Sequence, residues 1–491
     1  MLKLYALNNT YIQIECEDDI SLELHEYFTM FAENYQHHPL YKARRWNGKL
    51  YFYHSRNHAI YAGLVGEVLT FAKERGYSVE LDKSVVELFK FPTSITREQF
   101  VEFVKSLDIH DYGDQLEIRD YQMLGAWQAL TTRRRVFSSN TSSGKSVIQY
   151  ICIRLLQREI EGKVLLIVPS QNLVEQMYSD FRNYSSTDEN WNIEYECCRL
   201  YAAYDFDPSK QVVISTWQSL QDKPSDWFEE FEVVMCDEAH QAKAKEIKRI
   251  IECCQNASFR LAFTGTVPKG KADKMTLLGL FGPVSVLQTS RQAMDKGYIA
   301  ELDIKCLQLN HSTYPKKKMK YPEEMDFICS SEKRNKFICN LANSLKGNTL
   351  ILVARIESHG DVLKKMLDES GTTKKIFYIH GGVDASDREN IRAIMEKEED
   401  AIVIGSFGCV STGWSVRNLH NVIFGFPSKS FIRVVQSIGR GLRRSSTKSH
   451  CVLYDVVDNI NENNFAWNHF LERVKIYTEQ QFKSSLVEID L

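Results

Sequence analysis

SSNTSSGKS (Ser138–Ser146) is the stretch on which the fold turns. A phosphate-binding loop reads G-x-x-x-x-G-K-[ST], and here Ser139 stands at the first glycine position. Upstream, RRVFSS (134–139) reads as a strand. Downstream, SVIQYICIRLLQ (146–157) sets Ile148, Ile151 and Leu155 at helical spacing. Gly144-Lys145 therefore falls where a helix begins, and backbone N–H groups at a helix start favour anions. Ser139 keeps a small side chain at the point of close approach. Taken alone, the loop fits a phosphate cradle and a serine-rich turn equally well.

Working outward, short β-branched runs alternate with longer helical patterns. RRRVFSS, KVLLIVPS, QVVISTW, FEVVMCDE and FRLAFTGT form one series of expected strands. TLILVAR, KIFYIHG, AIVIGSF, NVIFGF and HCVLYDVVD form a second. Near-continuous apolar strands separated by helices imply parallel sheets covered on both faces, so two doubly wound α/β domains are expected. The segment 306–330, with YPKKKMKYPEE, reads as their connection, and a helix is expected from near Ser331. FAWNHFLERVKIYTEQQFKSS (465–485) reads as one closing amphipathic helix. Ligands in open α/β sheets bind beyond the carboxyl ends of the strands. GKS, DEAH, TGT, STGW and a Gly-Arg pair all fall there.

In MCDEAH (235–240) an apolar strand ends in two carboxylates. Asp237 fits a magnesium ligand and Glu238 a general base on attacking water, as in phosphate-loop ATPases; the competing reading is an exposed acidic turn. In QSIGRGLRR (436–444), Arg440 and Arg443 are spaced to share one helical face. They fit either arginine fingers on a γ-phosphate or pairing with surface acids. Each bland reading covers one loop; none covers the set.

The first ~95 residues differ in texture, with mixed short elements and no phosphate loop. Residues 35–60 contain no Asp or Glu and carry Lys42, Arg44, Arg45, Lys49 and Arg56 among Tyr35, Tyr41, Trp46, Tyr51, Phe52 and Tyr53. Basic groups neutralise phosphates and rings stack on bases, which suits a nucleic-acid contact. The alternative is a solvated basic face beside an aromatic mini-core, because alternate rings on a strand point inward.

The 491 residues exceed one core, and two to four domains are expected at roughly 150 residues each. Hydrophobic content of 43% and charged content of 25% are those of an ordinary globular chain. No apolar run approaches the ~20 residues of a membrane span, and MLKLYALNN matches no secretory signal. The net charge of −3 requires any polyanion to be held by local basic patches. The twelve cysteines show no zinc-ligand spacing; the doublets Cys197-Cys198 and Cys253-Cys254 read as small apolar residues of a reducing compartment.

Together these residues resemble the superfamily-two helicases. The motifs run in order through IRDYQ (118–122), TSSGKS (141–146), IVPSQNLVEQ (167–176), ISTWQSL (214–220), DEAH (237–240) and TGT (264–266). They continue through LILVARIESHG (350–360), IGSFGCVSTGWSV (404–416) and QSIGRGLRR (436–444). Within the superfamily, STGWSV, SEKRN (331–335) and RRWNGKLYFY (44–53) resemble the recombination and repair DNA helicases of T-even-type phages. The resemblance implies two tandem RecA-like doubly wound parallel-sheet domains behind a small α+β N-terminal domain. The expected boundaries are 1–95 for the N-terminal nucleic-acid-binding domain, 96–305 for the first RecA-like domain and 306–491 for the second.

It further implies roles for single residues. Arg119 and Gln122 would recognise adenine. Thr141, Ser142, Ser143, Gly144, Lys145 and Ser146 would hold the phosphates of ATP, with Ser146 and Asp237 on Mg²⁺ and Glu238 as base. His240 and the Thr264–Thr266 motif would couple ATP state to nucleic-acid grip. Arg440 and Arg443 would reach the γ-phosphate from the second domain. Gly413 belongs to the nucleotide-facing fifth motif, where many members carry an acid two residues on and this chain has Ser415. Gln171, Thr216, His359 and Thr412 would line the strand path, joined by Lys42, Arg44, Arg45, Trp46 and Lys49.

The resemblance implies an ATP-dependent DNA helicase or translocase on branched DNA (forks, junctions, displacement loops), with RNA a partner in hybrids. It implies no membrane, a monomer, and a host cytoplasm if the gene is viral. The competing expectations are an RNA remodeller and an ATPase-inactive nucleic-acid scaffold. A restriction-enzyme motor fits less well, since no segment is left for a nuclease.

Overall fold

The computed structural model describes residues 1–491 except 92, 112, 141–142, 203, 242–244, 299, 313–318, 412–415, 417, 428–449 and 462–463. It divides into two compact units, Met1–Ser139 with Gly144–Gln288 and Asn140–Ser143 with Thr289–Leu491.

The first unit opens with β1 (Leu2–Ala6), β2 (Tyr11–Glu15), β3 (Thr29–Phe31), β4 (Lys49–Tyr51), β5 (Tyr53–His54), β6 (Ala59–Tyr61) and β7 (Val79–Leu81). A mixed sheet runs β5-β6-β2-β1-β7, and β3-β4 form a separate antiparallel pair. A small hairpin follows, β8 (His110–Asp111) and β9 (Asp114–Gln115). The large sheet uses β10 (Arg134–Ser139), β11 (Lys163–Val168), β12 (Cys197–Leu200), β13 (Val212–Thr216), β14 (Phe231–Cys236), β15 (Phe259–Thr264) and β16 (Val284–Gln288). Its order is β12-β13-β11-β14-β15-β10-β16, with every neighbour parallel. Val164–Val168 of β11 are all buried, which is why KVLLIV is apolar without alternation. Ser138 lies opposite Thr264, and Cys236 opposite Ala262. The phosphate loop, TGT and DEAH therefore leave the sheet along one edge.

The N-terminal sheet is welded to this lobe by a shared core, in which Leu2, Ile12, Phe71 and Leu88 join Val136, Val234 and Ala262 in one cluster. Arg260 of β15 is fully buried and donates to Thr10 Oγ1 (2.8 Å), Ile251 O (3.0 Å) and Ala257 O (3.3 Å). Arg134 donates to Leu88 O (3.1 Å) and to Asn9 O. Burial pulls the Arg260 guanidinium down to about 10. Tyr11 and Tyr61 stack at 5.0 Å and both donate to Glu252. Gly63 is required by close approach: a Cβ there would stand 2.0 Å from Leu278 O and 2.6 Å from Gly279 O.

The second unit is built on β17 (Glu301–Asn310), β18 (Thr349–Val353), β19 (Lys375–Ile379), β20 (Ala401–Ser406), β21 (Asn421–Phe424), β22 (His450–Asn459) and β23 (Lys483–Asp490). Its order, β19-β20-β18-β21-β22-β17-β23, is again parallel at every pairing. Leu350 and Leu352 fill the core on one face and Ile351 and Val353 the core on the other. Arg473, in the helix Phe465–Glu479, forks onto Asp455 of β22 at 2.9 and 2.8 Å, and Tyr477 donates to the same carboxylate at 2.6 Å.

Three expectations differ from this arrangement. The compact units part at Gln288/Thr289 rather than at 305/306, because Glu301–Asn310 is one strand held between β22 and β23. The segment 306–330 is not a plain connection, since it ends β17 and contains a helix over Tyr321–Ser330. The tail is not one helix: the helix stops at Glu479, and Lys483–Asp490 adds an edge strand. The helix expected near Ser331 spans Glu332–Ser344 with Ser331 as its N-cap. All twelve cysteines are free thiols, and Cys197, Cys198 and Cys254 are buried while Cys253 is half-buried. Among the described residues, no helix is long and apolar enough to cross a membrane.

Candidate nucleotide and nucleic-acid site

β10 ends at Ser139, which is buried, and the helix Lys145–Leu156 starts with Gly144 as its N-cap in the left-handed region (φ 72°). A Cβ at Gly144 would lie 2.5 Å from Gln122 Nε2, so only glycine lets the loop turn beneath that amide. Gln122 is buried in the helix Asp120–Thr132, and its Oε1 accepts from Arg119 N (2.9 Å). Arg119 Nη1 donates to Tyr121 Oη (3.1 Å). Gln122 thus stands directly against the start of the phosphate helix, with Arg119 bonded to it.

Asp237 follows β14, and its backbone N–H is held by Ile167 O (2.9 Å). Gln149, one turn into the phosphate helix, donates from Nε2 to Asp237 Oδ1 (3.1 Å). Burial and the adjacent Glu238 carboxylate push Asp237 up to about 6, while Lys145 pulls it back down. Two crowded carboxylates facing a lysine form an oxygen-rich corner that a hard divalent cation would relieve. The Ser146 hydroxyl is 2.9 Å from Tyr184 Oη.

Glu238 adopts a positive φ of 48°, a strained turn of the kind that gathers at functional sites. His240 Nδ1 lies 3.3 Å from Glu238 Oε2 and 3.2 Å from Thr264 Oγ1. The Thr264 hydroxyl donates to Thr266 O (2.8 Å) and accepts from Thr266 N (3.2 Å). With that hydrogen already committed, Thr264 can only accept from the ring, which assigns the proton to Nδ1 of His240. A hydrogen-bonded line therefore joins the DEAH turn to the TGT turn.

The strand-path residues divide. Gln171 is exposed at the first position of the helix Gln171–Tyr184. Thr216 is 2% exposed, with Oγ1 3.1 Å from Ser219 Oγ, and His359 is 0% exposed with neither ring nitrogen hydrogen-bonded to a described residue. Neither presents a surface that a strand could touch, because both are closed in by packing. On the N-terminal side Lys42, Arg44 and Arg45 are exposed, and Arg44 turns at φ 55°. Trp46 donates to Lys49 O (3.0 Å), Lys49 Nζ rides over the Phe31 ring at 5.5 Å, and Tyr35 stacks on Phe31 at 4.6 Å. Phe52 and Tyr53 are buried and Tyr51 faces solvent, so the rings split between core and surface. Thr141, Ser142, Thr412, Gly413, Ser415, Arg440 and Arg443 lie outside the described residues. Ser143 is described and buried. Gln149 and Tyr184 are new members of the site. Gln149 was legible four residues after Lys145, one helical turn on, whereas nothing local marks Tyr184.

Two parallel sheets, each of the RecA-like doubly wound kind, and motifs ranged along one sheet edge are shared with the superfamily-two helicases, and the chain is, like them, a nucleic-acid-dependent ATPase. The pattern of "Type III restriction enzyme, res subunit" matches residues 115–269, and that of "Helicase conserved C-terminal domain" matches 332–445. Residues 2–82 match the pattern of "DNA helicase UvsW, N-terminal". Along its whole length the chain is like one particular protein, the ATP-dependent DNA helicase uvsW of Enterobacteria phage T4, at 29% identity covering 100% of both chains. The crystal structure of T4 UvsW superposes with a TM-score of 0.54 at 28% identity, covering 100% of this chain and 99% of that one. The Type ISP restriction-modification enzyme LlaBIII bound to DNA shares the fold at a TM-score of 0.59 and 15% identity, over 87% of this chain and 34% of its own.

Proposed function

We propose that this ATPase drives a DNA motor on branched substrates such as forks, junctions and displacement loops in recombination, repair and replication. The observation that carries the reading is the line of Lys145, Asp237, Glu238, His240 and Thr264 along one sheet edge, on a chain that is like T4 UvsW from end to end. ATP is held with Arg119 and Gln122 at the base, and the loop from Thr141 to Ser146 at the phosphates. Ser146 and Asp237 are the magnesium ligands. Bound Mg²⁺ supplies charge neutralisation on the phosphate oxygens. Lys145 holds the same oxygens as a point charge, and Glu238 accepts the proton of the attacking water. Arg440 and Arg443 are the arginine fingers, and Gly413 touches the nucleotide; all three rest on sequence alone. His240 and Thr264 pass the state of the phosphates toward the strand path, to which Gln171 and Thr412 contribute. The protein works as a monomer in the cytoplasm, that of the host if the gene is a phage's.

The exposed Lys42, Arg44 and Arg45, with Trp46 and Lys49, engage duplex beside the branch, mostly through phosphates and hence with little sequence preference. Replacing Arg44 and Arg45 together with alanine is expected to weaken DNA binding. The slope of log affinity against log salt should flatten by about 0.9 for each phosphate that is no longer neutralised. Fluorescence-anisotropy titrations across a salt series read this directly. A salt slope equal to that of the unaltered protein would return the segment to a solvated face.

The substrate assignment is tested by ATPase stimulation and strand separation on forked DNA, plain duplex and structured RNA. Forked DNA is expected to give the largest stimulation. Stimulation by RNA above that by forked DNA would overturn the DNA reading in favour of an RNA remodeller. No stimulation by any of the three would favour an inactive scaffold.

A further inference from the structure

Arg334 is fully buried in the helix Glu332–Ser344, and its Nε donates to Asp458 Oδ1 (2.7 Å) near the end of β22. His311, just past β17, places Nε2 2.9 Å from the same oxygen. Beyond these bonds, Arg334 Nη1 and Nη2, Asp458 Oδ2, and both ring nitrogens of His359 are buried with no hydrogen-bond partner among the described residues, and His359 lies within reach of the charges of Arg334 and Asp458. His359 belongs to a single π-turn, Ile356–Gly360, closed by Gly360 N donating to Arg355 O (3.0 Å). Such turns are frequent at functional places. Burial first, and Arg334 next, hold the His359 ring neutral, down to about 3.

Native interiors pair nearly all their buried polar groups, and orphaned ones call for a partner. The five atoms are chemically mixed. Arg334 can only donate, Asp458 Oδ2 can only accept, and a neutral imidazole does one of each. An anion would confront the Asp458 carboxylate and a cation the Arg334 guanidinium. Water donates and accepts, and it is the small ligand whose chemistry matches every member of the set. We propose that the second unit encloses a small group of water molecules bonded to Arg334, Asp458 and His359, and that this hydrated joint positions the turn Ile356–Gly360. From outside the turn is pinned by Tyr378 Oη donating to Ile356 O (3.3 Å) and by the Arg355–Asp326 ion pair. The joint holds it from beneath and so fixes where the exposed Glu357 and Ser358 point. His359 is then a positioning residue rather than a contact for a nucleic-acid strand.

Diffraction from the full chain at a resolution that orders solvent is expected to show water within hydrogen-bond distance of Arg334 Nη1 or Nη2 and of Asp458 Oδ2. An anion in that place, or side chains bonded directly to one another with no solvent, would overturn the proposal. Thermal unfolding without nucleotide or nucleic acid gives a second test, independent of what the motor acts on. If the joint is hydrated, His359→Phe removes two hydrogen-bonding atoms from a satisfied network. The melting midpoint then falls by about 3 °C or more, and His359→Gln restores part of the loss. If the site is dry, phenylalanine removes a desolvation cost and the midpoint stays or rises, and that result sinks the idea.

Discussion

Replacing Glu238 with glutamine is expected to lower nucleic-acid-stimulated ATP hydrolysis by about 10²–10⁴-fold, the usual contribution of a positioned general base. Glu238 stands on a strained turn directly after β14, beside Asp237 and 3.3 Å from His240 Nδ1. Glutamine keeps the length and shape of the side chain, so the turn and the DEAH–TGT line survive while the proton acceptor is removed. ATP binding should therefore persist, as titration with a non-hydrolysable analogue would read, while steady-state phosphate release collapses. Hydrolysis at the unaltered rate would mean that another group takes the proton.

The largest effect on stability is expected at Asp455. Its carboxylate is fully buried, forked by Arg473 at 2.9 and 2.8 Å and bonded by Tyr477 Oη at 2.6 Å. Asp455→Ala leaves a buried guanidinium without its counter-charge, and breaking one side of such a pair costs about 3–5 kcal/mol. At roughly 2–4 °C per kcal/mol for a domain of this size, the second unit should unfold about 10 °C lower. Exchanging both partners for apolar residues, Asp455→Leu with Arg473→Met, should recover much of the loss, because no charge is then stranded. Differential scanning calorimetry reads both variants. A midpoint unmoved by Asp455→Ala would show that solvent reaches Arg473.

Most of this architecture was legible because buried parallel strands write themselves as apolar runs. TLILV and AIVIGS needed no partner to be recognised, and GKS, DEAH and TGT lay where such strands end. What escaped had a physical reason. KSSLVEID forms an edge strand whose side chains are almost all exposed, so burial left no apolar signature on it. ELDIKCLQLN alternates charged and apolar residues in its first half, and the lysine-rich run after it has the composition of a linker. At the site, Lys145, Asp237 and Glu238 were legible as chemistry at strand ends, whereas Tyr184 reaches Ser146 across 38 residues that no spacing rule connects. His359 and Thr216 sat in the right motifs, but motif membership does not say which way a side chain faces.

The seam between the N-terminal sheet and the first lobe has a mechanical meaning. Arg260, Arg134 and the Tyr11–Tyr61–Glu252 contact spend buried polar groups on fastening two folds where a plain apolar seam would also have held. A flexible tether would let that sheet drift while the ATPase cycled. A bolted one makes the N-terminal sheet a lever arm that travels, without slack, wherever the lobe carrying Lys145 is driven.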